Sequence, residues 1–100
     1  MEIQFRTRAL EKQYQQSKEA FKAYGVQIGT QYIQRINIIK QSSNIDELIS
    51  IRTLRCHPLK GDRGGEWAIK LTGFIRLIFT LHGDNLQILR IEEVSKHYDD

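Results

Sequence analysis

The sequence predicts an α+β domain in which N-terminal helices pack on one face of a curved antiparallel sheet. Three observations predict it. Apolar residues recur at helical spacing between residues 10 and 39, then alternate at period two in the second half of the chain. Composition changes near residue 43, before which there is no proline and after which come five of the seven glycines and the only tryptophan. The later strand-like runs follow one another with turn residues and no helix between them, which is hairpin connectivity and therefore antiparallel pairing. One hundred residues make one domain with one modest core, so residues 1–100 are read as a single unit.

Glu2 to Phe5 alternates polar and apolar and reads as a short strand. Thr7 is a suitable N-cap, and Leu10, Tyr14, Phe21 and Tyr24 follow on one helical face, with a restart signal at Ser17–Glu19. Gly25 suits a helix end. A second helix is expected over 26–41, where Ile28, Tyr32, Ile36 and Ile39 form one stripe. Gly29 either weakens it by about 1 kcal/mol relative to alanine or permits close packing. Asn44 with Glu47 resembles a capping box for a short turn over 45–49. Aromatic and isoleucine stripes of this kind belong to a core. In the second half, Trp67, Ile69 and Leu71 point inward from one strand, Thr72-Gly73 turns, 74–81 forms the next strand, and His82-Gly83-Asp84-Asn85 turns into a last strand over 86–94.

No segment approaches the roughly 18 apolar residues of a membrane span, and the first residues lack the apolar stretch of a secretory signal. One cysteine, Cys56, cannot form an internal disulfide, so a reducing cytoplasm is expected. Zinc ribbons and repeat arrays are excluded. The net charge of +3 is unevenly spread: residues 51–76 carry six Lys/Arg against two Asp/Glu, and residues 77–100 two against five. A basic middle segment fits either phosphate contacts or a solvated loop.

Three features carry chemistry. The loop Arg55-Cys56-His57-Pro58-Leu59-Lys60-Gly61-Asp62-Arg63-Gly64-Gly65 sets a histidine among basic residues and glycines, which let a backbone approach an anion. Its spacing is not that of a P-loop. Arg76 interrupts the apolar run Phe74 to Phe79, so it points to a ligand or needs a carboxylate such as Glu92. Lys96-His97-Tyr98 puts an imidazole beside a ring near the chain end. Metal-free RNA cleavage needs a base for the 2′-OH, an acid for the 5′-oxygen and cations for the charge on phosphorus. His57, Lys60, Arg63, Arg76 and His97 supply those types, and Tyr98 can stack on a splayed base. Metal-ligand spacings are absent, so no metal or other cofactor is expected. Cys56 and His57 are strand neighbours that face opposite ways, which argues against a Cys–His pair.

The run 57–69, then Phe74-Ile75-Arg76-Leu77-Ile78-Phe79, then Lys96-His97-Tyr98-Asp99 resembles the HigB (plasmid maintenance system killer) toxins of the RelE/ParE superfamily. The resemblance covers residues 50–100 well and the N-terminal helices in kind and length only. It implies helices over a curved antiparallel sheet, and a type II toxin that cuts messenger RNA in the ribosomal A site without a metal. It also implies a HigA-like helix-turn-helix antitoxin partner, operator DNA contacted only through that complex, and no membrane. On this resemblance His57, Lys60, Arg76, His97 and Tyr98 are the candidate catalytic residues. Arg55, Arg63 and Lys96 are candidate RNA- or phosphate-binding residues. Many members end Asp-Tyr-His, whereas this chain has His97-Tyr98-Asp99; His97 is taken as the acid–base group because imidazole titrates near neutrality. The alternatives are a ParE-like gyrase inhibitor without nuclease activity, and a non-catalytic nucleic-acid- or protein-binding module on the same fold.

Overall fold

A computed structural model describes residues 1–96. Strand β1 (Glu2–Phe5) leads to α1 (Arg8–Gln15), where the Thr7 hydroxyl accepts from the Leu10 N–H at 3.1 Å. Gln16 leaves helical backbone (φ −128°, ψ 104°), and a new helix restarts at Ser17 as the Ser17–Glu19 signal suggests, so the apolar face is carried by two helices, α1 and α2 (Ser17–Tyr24). Gly25, at φ 86°, ends α2 and opens α3 (Val26–Gln41). The expected stripe is the buried face of α3: Tyr32, Ile36 and Ile39 are fully enclosed, with Ile28 half-buried above them. Asn44 caps the short α4 (Ile45–Ser50) by accepting from the Glu47 N–H, as its spacing predicts, while the Glu47 carboxylate accepts from the N–H of Ser43, one residue before the position a capping box would use.

Among the described residues the sheet has five strands in the order β1-β5-β4-β3-β2, with β2 His57–Pro58, β3 Glu66–Thr72, β4 Ile75–His82 and β5 Ile88–Ser95. The β2–β3, β3–β4 and β4–β5 pairs are antiparallel. β1 departs from the all-antiparallel expectation: it runs parallel to β5, making the sheet mixed. No hairpin ties these two strands, which come from opposite ends of the chain. The helices carry the chain from β1 across to β2 at the far edge, and β3 and β4 then bring it back to β5, so the two strands are free to run parallel.

The core lies between the helices and one sheet face. Tyr32, Ile36, Ile39, Leu10, Ala20 and Leu48 meet Ile69, Leu71, Leu77, Phe79, Leu89 and Ile91 there. Trp67 and Phe79, register partners on β3 and β4, stack with centroids 6.2 Å apart. Tyr32 also ties α3 to α1: its buried hydroxyl donates to the Leu10 carbonyl at 2.7 Å. The other sheet face has no helix in that core. Among the described residues, Leu59, reaching back from the loop, packs on Ala68 and Ile78 there.

Candidate functional site

Side chains alternate along a strand, so the register assigns the residues of this second, open face. Glu66, Thr80 and Arg90 form one row across β3, β4 and β5. His57, Ala68, Ile78 and Glu93 form the next, starting on β2. Lys70, Arg76 and Ser95 form the third. His57 and Arg76, far apart in sequence, therefore lie in adjacent rows of one face, with Lys70 beside Arg76.

Arg76 is 4% exposed. One terminal nitrogen, Nη1, donates to the carbonyls of Gly73 at 2.7 Å and Ile75 at 3.2 Å, so the guanidinium folds back onto its own hairpin. This turn needs Gly73, which sits at φ 50°. Glu92, the carboxylate anticipated for Arg76, is held by other groups, described below. His57 is half-buried, and its Nδ1 lies 2.7 Å from the Arg55 carbonyl oxygen. A carbonyl only accepts, so Nδ1 carries the proton and Nε2 is the basic nitrogen of the neutral ring. The carbonyl can face the ring because Arg55 takes a left-handed conformation (φ 49°, ψ 43°).

The other expected residues differ in surroundings. Lys60 and Arg55 are exposed on the loop, and Lys96 is exposed just beyond β5. Arg63 sits on a single helical turn (Gly61–Arg63), where its Nε donates to Glu66 at 2.6 Å and its Nη2 lies 3.6 Å from Glu93. Two carboxylates therefore share its charge, and Arg63 acts first as a clasp between loop and sheet. His97 and Tyr98 lie outside the described residues. Cys56 is buried on the helix side, and burial pushes its thiol up to about 12, so almost no thiolate forms near neutrality. Among the described residues no group of three or more His, Cys, Asp and Glu could hold a metal ion, and no helix is long and apolar enough to cross a membrane.

Sequence reasoning missed a network around Glu92. The β4–β5 register shifts between Ile78 and Phe79, whose partners are Glu93 and Ile91, so Glu92 is the extra residue of a bulge. Its carboxylate accepts from the Thr80 hydroxyl at 2.7 Å and from Arg90 Nε at 2.6 Å. Arg6 Nε donates to the Glu92 backbone carbonyl at 2.9 Å and lies 3.6 Å from the carboxylate. Thr80 has one proton and spends it on Glu92, so His82 Nε2, 2.7 Å from the same hydroxyl, is the donor there. A signal was present in the sequence. The inward residues Leu89, Ile91 and Val94 are spaced two, then three apart, and that slip of phase marks the bulge.

Burial alone would raise the Glu92 pKa. The hydrogen bonds from Arg90 and Thr80 and the charges of Arg90 and Arg6 outweigh it and hold the carboxyl below its usual value. The unfolded chain therefore binds this proton more readily than the folded one. The stability owed to ionised Glu92 is present above the ordinary glutamate range and is lost as pH falls through the lowered pKa. Urea titrations should show Glu92→Gln less stable than the parent at pH 7, with the gap closing below about pH 4. A gap independent of pH would contradict the ionic role.

No protein-family model matches the chain, and no curated protein does. Solved structures do. A YoeB/ParE toxin from Agrobacterium tumefaciens aligns over 98% of this chain and 100% of its own, at 21% identity and a TM-score of 0.59. A YoeB–YefM complex from Staphylococcus aureus aligns over 98% of each chain, at 18% identity and a TM-score of 0.61. A YoeB dimer from the same organism aligns over 98% of each chain, at 20% identity and 0.54. At these identities the likeness is one of architecture: the chain has the α+β fold of YoeB and ParE toxins.

Proposed function

We propose that this protein is the toxin of a type II toxin–antitoxin pair, a HigB-like endoribonuclease that cuts messenger RNA on the ribosome without a metal. The observation that carries the reading is the open sheet face, where His57 shares adjacent register rows with Lys70 and Arg76. The toxin fold supports it, and so does the loop-and-strand motif of residues 57–69 and 74–79. One of the solved neighbours is a toxin bound to its antitoxin YefM. Here the motif favours a HigA-like helix-turn-helix antitoxin.

In this reading His57 Nε2 removes the proton from a ribose 2′-OH. The resulting oxyanion attacks the adjacent phosphorus, and the bond to the 5′-oxygen breaks. His97 protonates that leaving oxygen, and the products are a 2′,3′-cyclic phosphate and a free 5′-OH. Arg76, Lys70 and Lys60 offset the charge that builds on the phosphoryl oxygens. Tyr98 stacks on a base beside the cut.

Induced expression tests it. Translation should collapse early, with transcripts cut in their coding regions, and a variant with His57, Arg76 and Tyr98 all changed to alanine should be harmless. DNA damage with intact transcripts would favour gyrase inhibition instead. Equal toxicity of the triple variant would end the nuclease reading.

A further inference from the structure

Arg6 and Arg90 are arranged unlike ordinary surface arginines. Each binds Glu92 through Nε alone: Arg90 through the carboxylate at 2.6 Å, Arg6 through the backbone carbonyl at 2.9 Å. An arginine that serves only as an ion-pair partner tends to turn its two-pronged edge to the carboxylate. Here the terminal amino groups of both side chains make no hydrogen bond to any described residue. The side chains are 53% and 41% exposed, while that of Glu92 is 10% exposed. Glu92 thus fixes two guanidiniums, Arg90 by its carboxylate and Arg6 by its backbone carbonyl, leaves a positive charge in excess, and leaves their terminal donors to face an outside anion. Thr80 and His82 complete the support beneath it.

The position is informative too. Arg90 projects from the same sheet face as Arg76, four residues along β4 and one strand across, roughly 14 Å away between backbones at strand spacing. Gln4, the register partner of Arg90 on β1, extends the row. Arg6 also borders an open groove of about 470 Å³ along β1 and the start of α1, lined with it by Gln4, Arg8 and Glu11, so Arg6 is reached from the edge of the sheet.

We infer that Arg6 and Arg90, held by Glu92, form a second phosphate-binding site on the open face, which grips the backbone of single-stranded RNA some nucleotides from the scissile linkage. This rests on the endoribonuclease reading for the identity of the strand, not for the existence of the site. The chemistry is that of an oxyanion with several acceptors. An RNA backbone is favoured over an acidic peptide because the pair shares its face with the His57–Arg76 rows.

The test uses the full-length protein and an uncleavable 2′-O-methyl RNA oligonucleotide, with binding titrated against salt. Replacing both arginines by glutamine should reduce the slope of log K against log salt by about 1.4, since each contact to a single strand contributes about 0.7. Arg6→Lys with Arg90→Lys keeps the charge but loses the Nε anchor. The slope should then persist while affinity drops several-fold. Thermal melts of each variant establish that it is folded. An unchanged slope in the folded double-glutamine variant overturns the site, and so would loss of binding to polyglutamate alone, which would assign the pair to protein recognition. Cleavage on programmed ribosomes is measured in parallel. A parent that does not cut, yet shows the slope difference, defeats the nuclease reading and leaves the site standing. A parent that cuts with no slope difference does the reverse.

Discussion

On the endoribonuclease proposal, Arg76→Ala is expected to lower RNA cleavage by about 10²- to 10³-fold, the usual loss when one fixed donor to a developing charge is removed. Two features set the size. The guanidinium is buried, so its charge acts with little screening by water. It is also held in place by the Gly73 and Ile75 carbonyls, so it needs no reorganisation as charge develops. The same carbonyls give the residue a structural share. Removing their donor should cost about 1–3 kcal/mol of stability, so the rate must be compared at a temperature where both proteins are folded. Arg76→Lys separates the two shares. An ammonium keeps the charge but lacks the planar, fixed fork of donors that braces the turn. Cleavage should therefore remain well below the parent even where the melting temperature recovers. Parent-like cleavage by folded Arg76→Ala would remove Arg76 from the chemistry and leave it a hairpin brace.

Gly29→Ala is expected to destabilise the fold by about 1–3 kcal/mol, against the gain of about 1 kcal/mol that helix propensity alone assigns to it. Gly29 lies inside α3 where α2 crosses. A methyl group there would stand 2.9 Å from the carbonyl carbon of Ala20, 2.9 Å from Phe21 Cδ1 and 3.0 Å from the Ala20 oxygen. The first and last are backbone atoms of a helix, so α2 itself would have to shift. Ala20 is fully enclosed at this crossing and belongs to the core. Denaturant midpoints of the two proteins measure the effect. A stabilised Gly29→Ala would mean that α2 yields easily and that the close approach is incidental.

Residues whose partners are close in sequence were legible in advance. The Thr7 and Asn44 caps, the limits of α3 and its buried stripe depend on spacings within a few residues, and all are as the pattern predicts. The hairpins from β3 to β5 were legible because short turns leave only antiparallel pairing. The parallel docking of β1 was not, because no local feature sets the direction of a strand whose partner lies more than eighty residues away. The choice between the two readings of Gly29 was equally out of reach, since it depends on the distance between two helices.

The candidate site divides along the same line. The sequence by itself determined the types of chemistry present: an imidazole in a glycine-rich basic loop, and an arginine stranded in an apolar strand. Only the tertiary structure decided which of them meet. Strand register puts His57 and Arg76 on one face, ties Arg63 to Glu66 and Glu93, and gives Glu92 to Arg90, Thr80 and Arg6. Side-chain type and local spacing are written in the order of residues. Pairing across a sheet depends on register, and register here follows from the burial of one whole face against the helices, a property no short stretch of the chain contains.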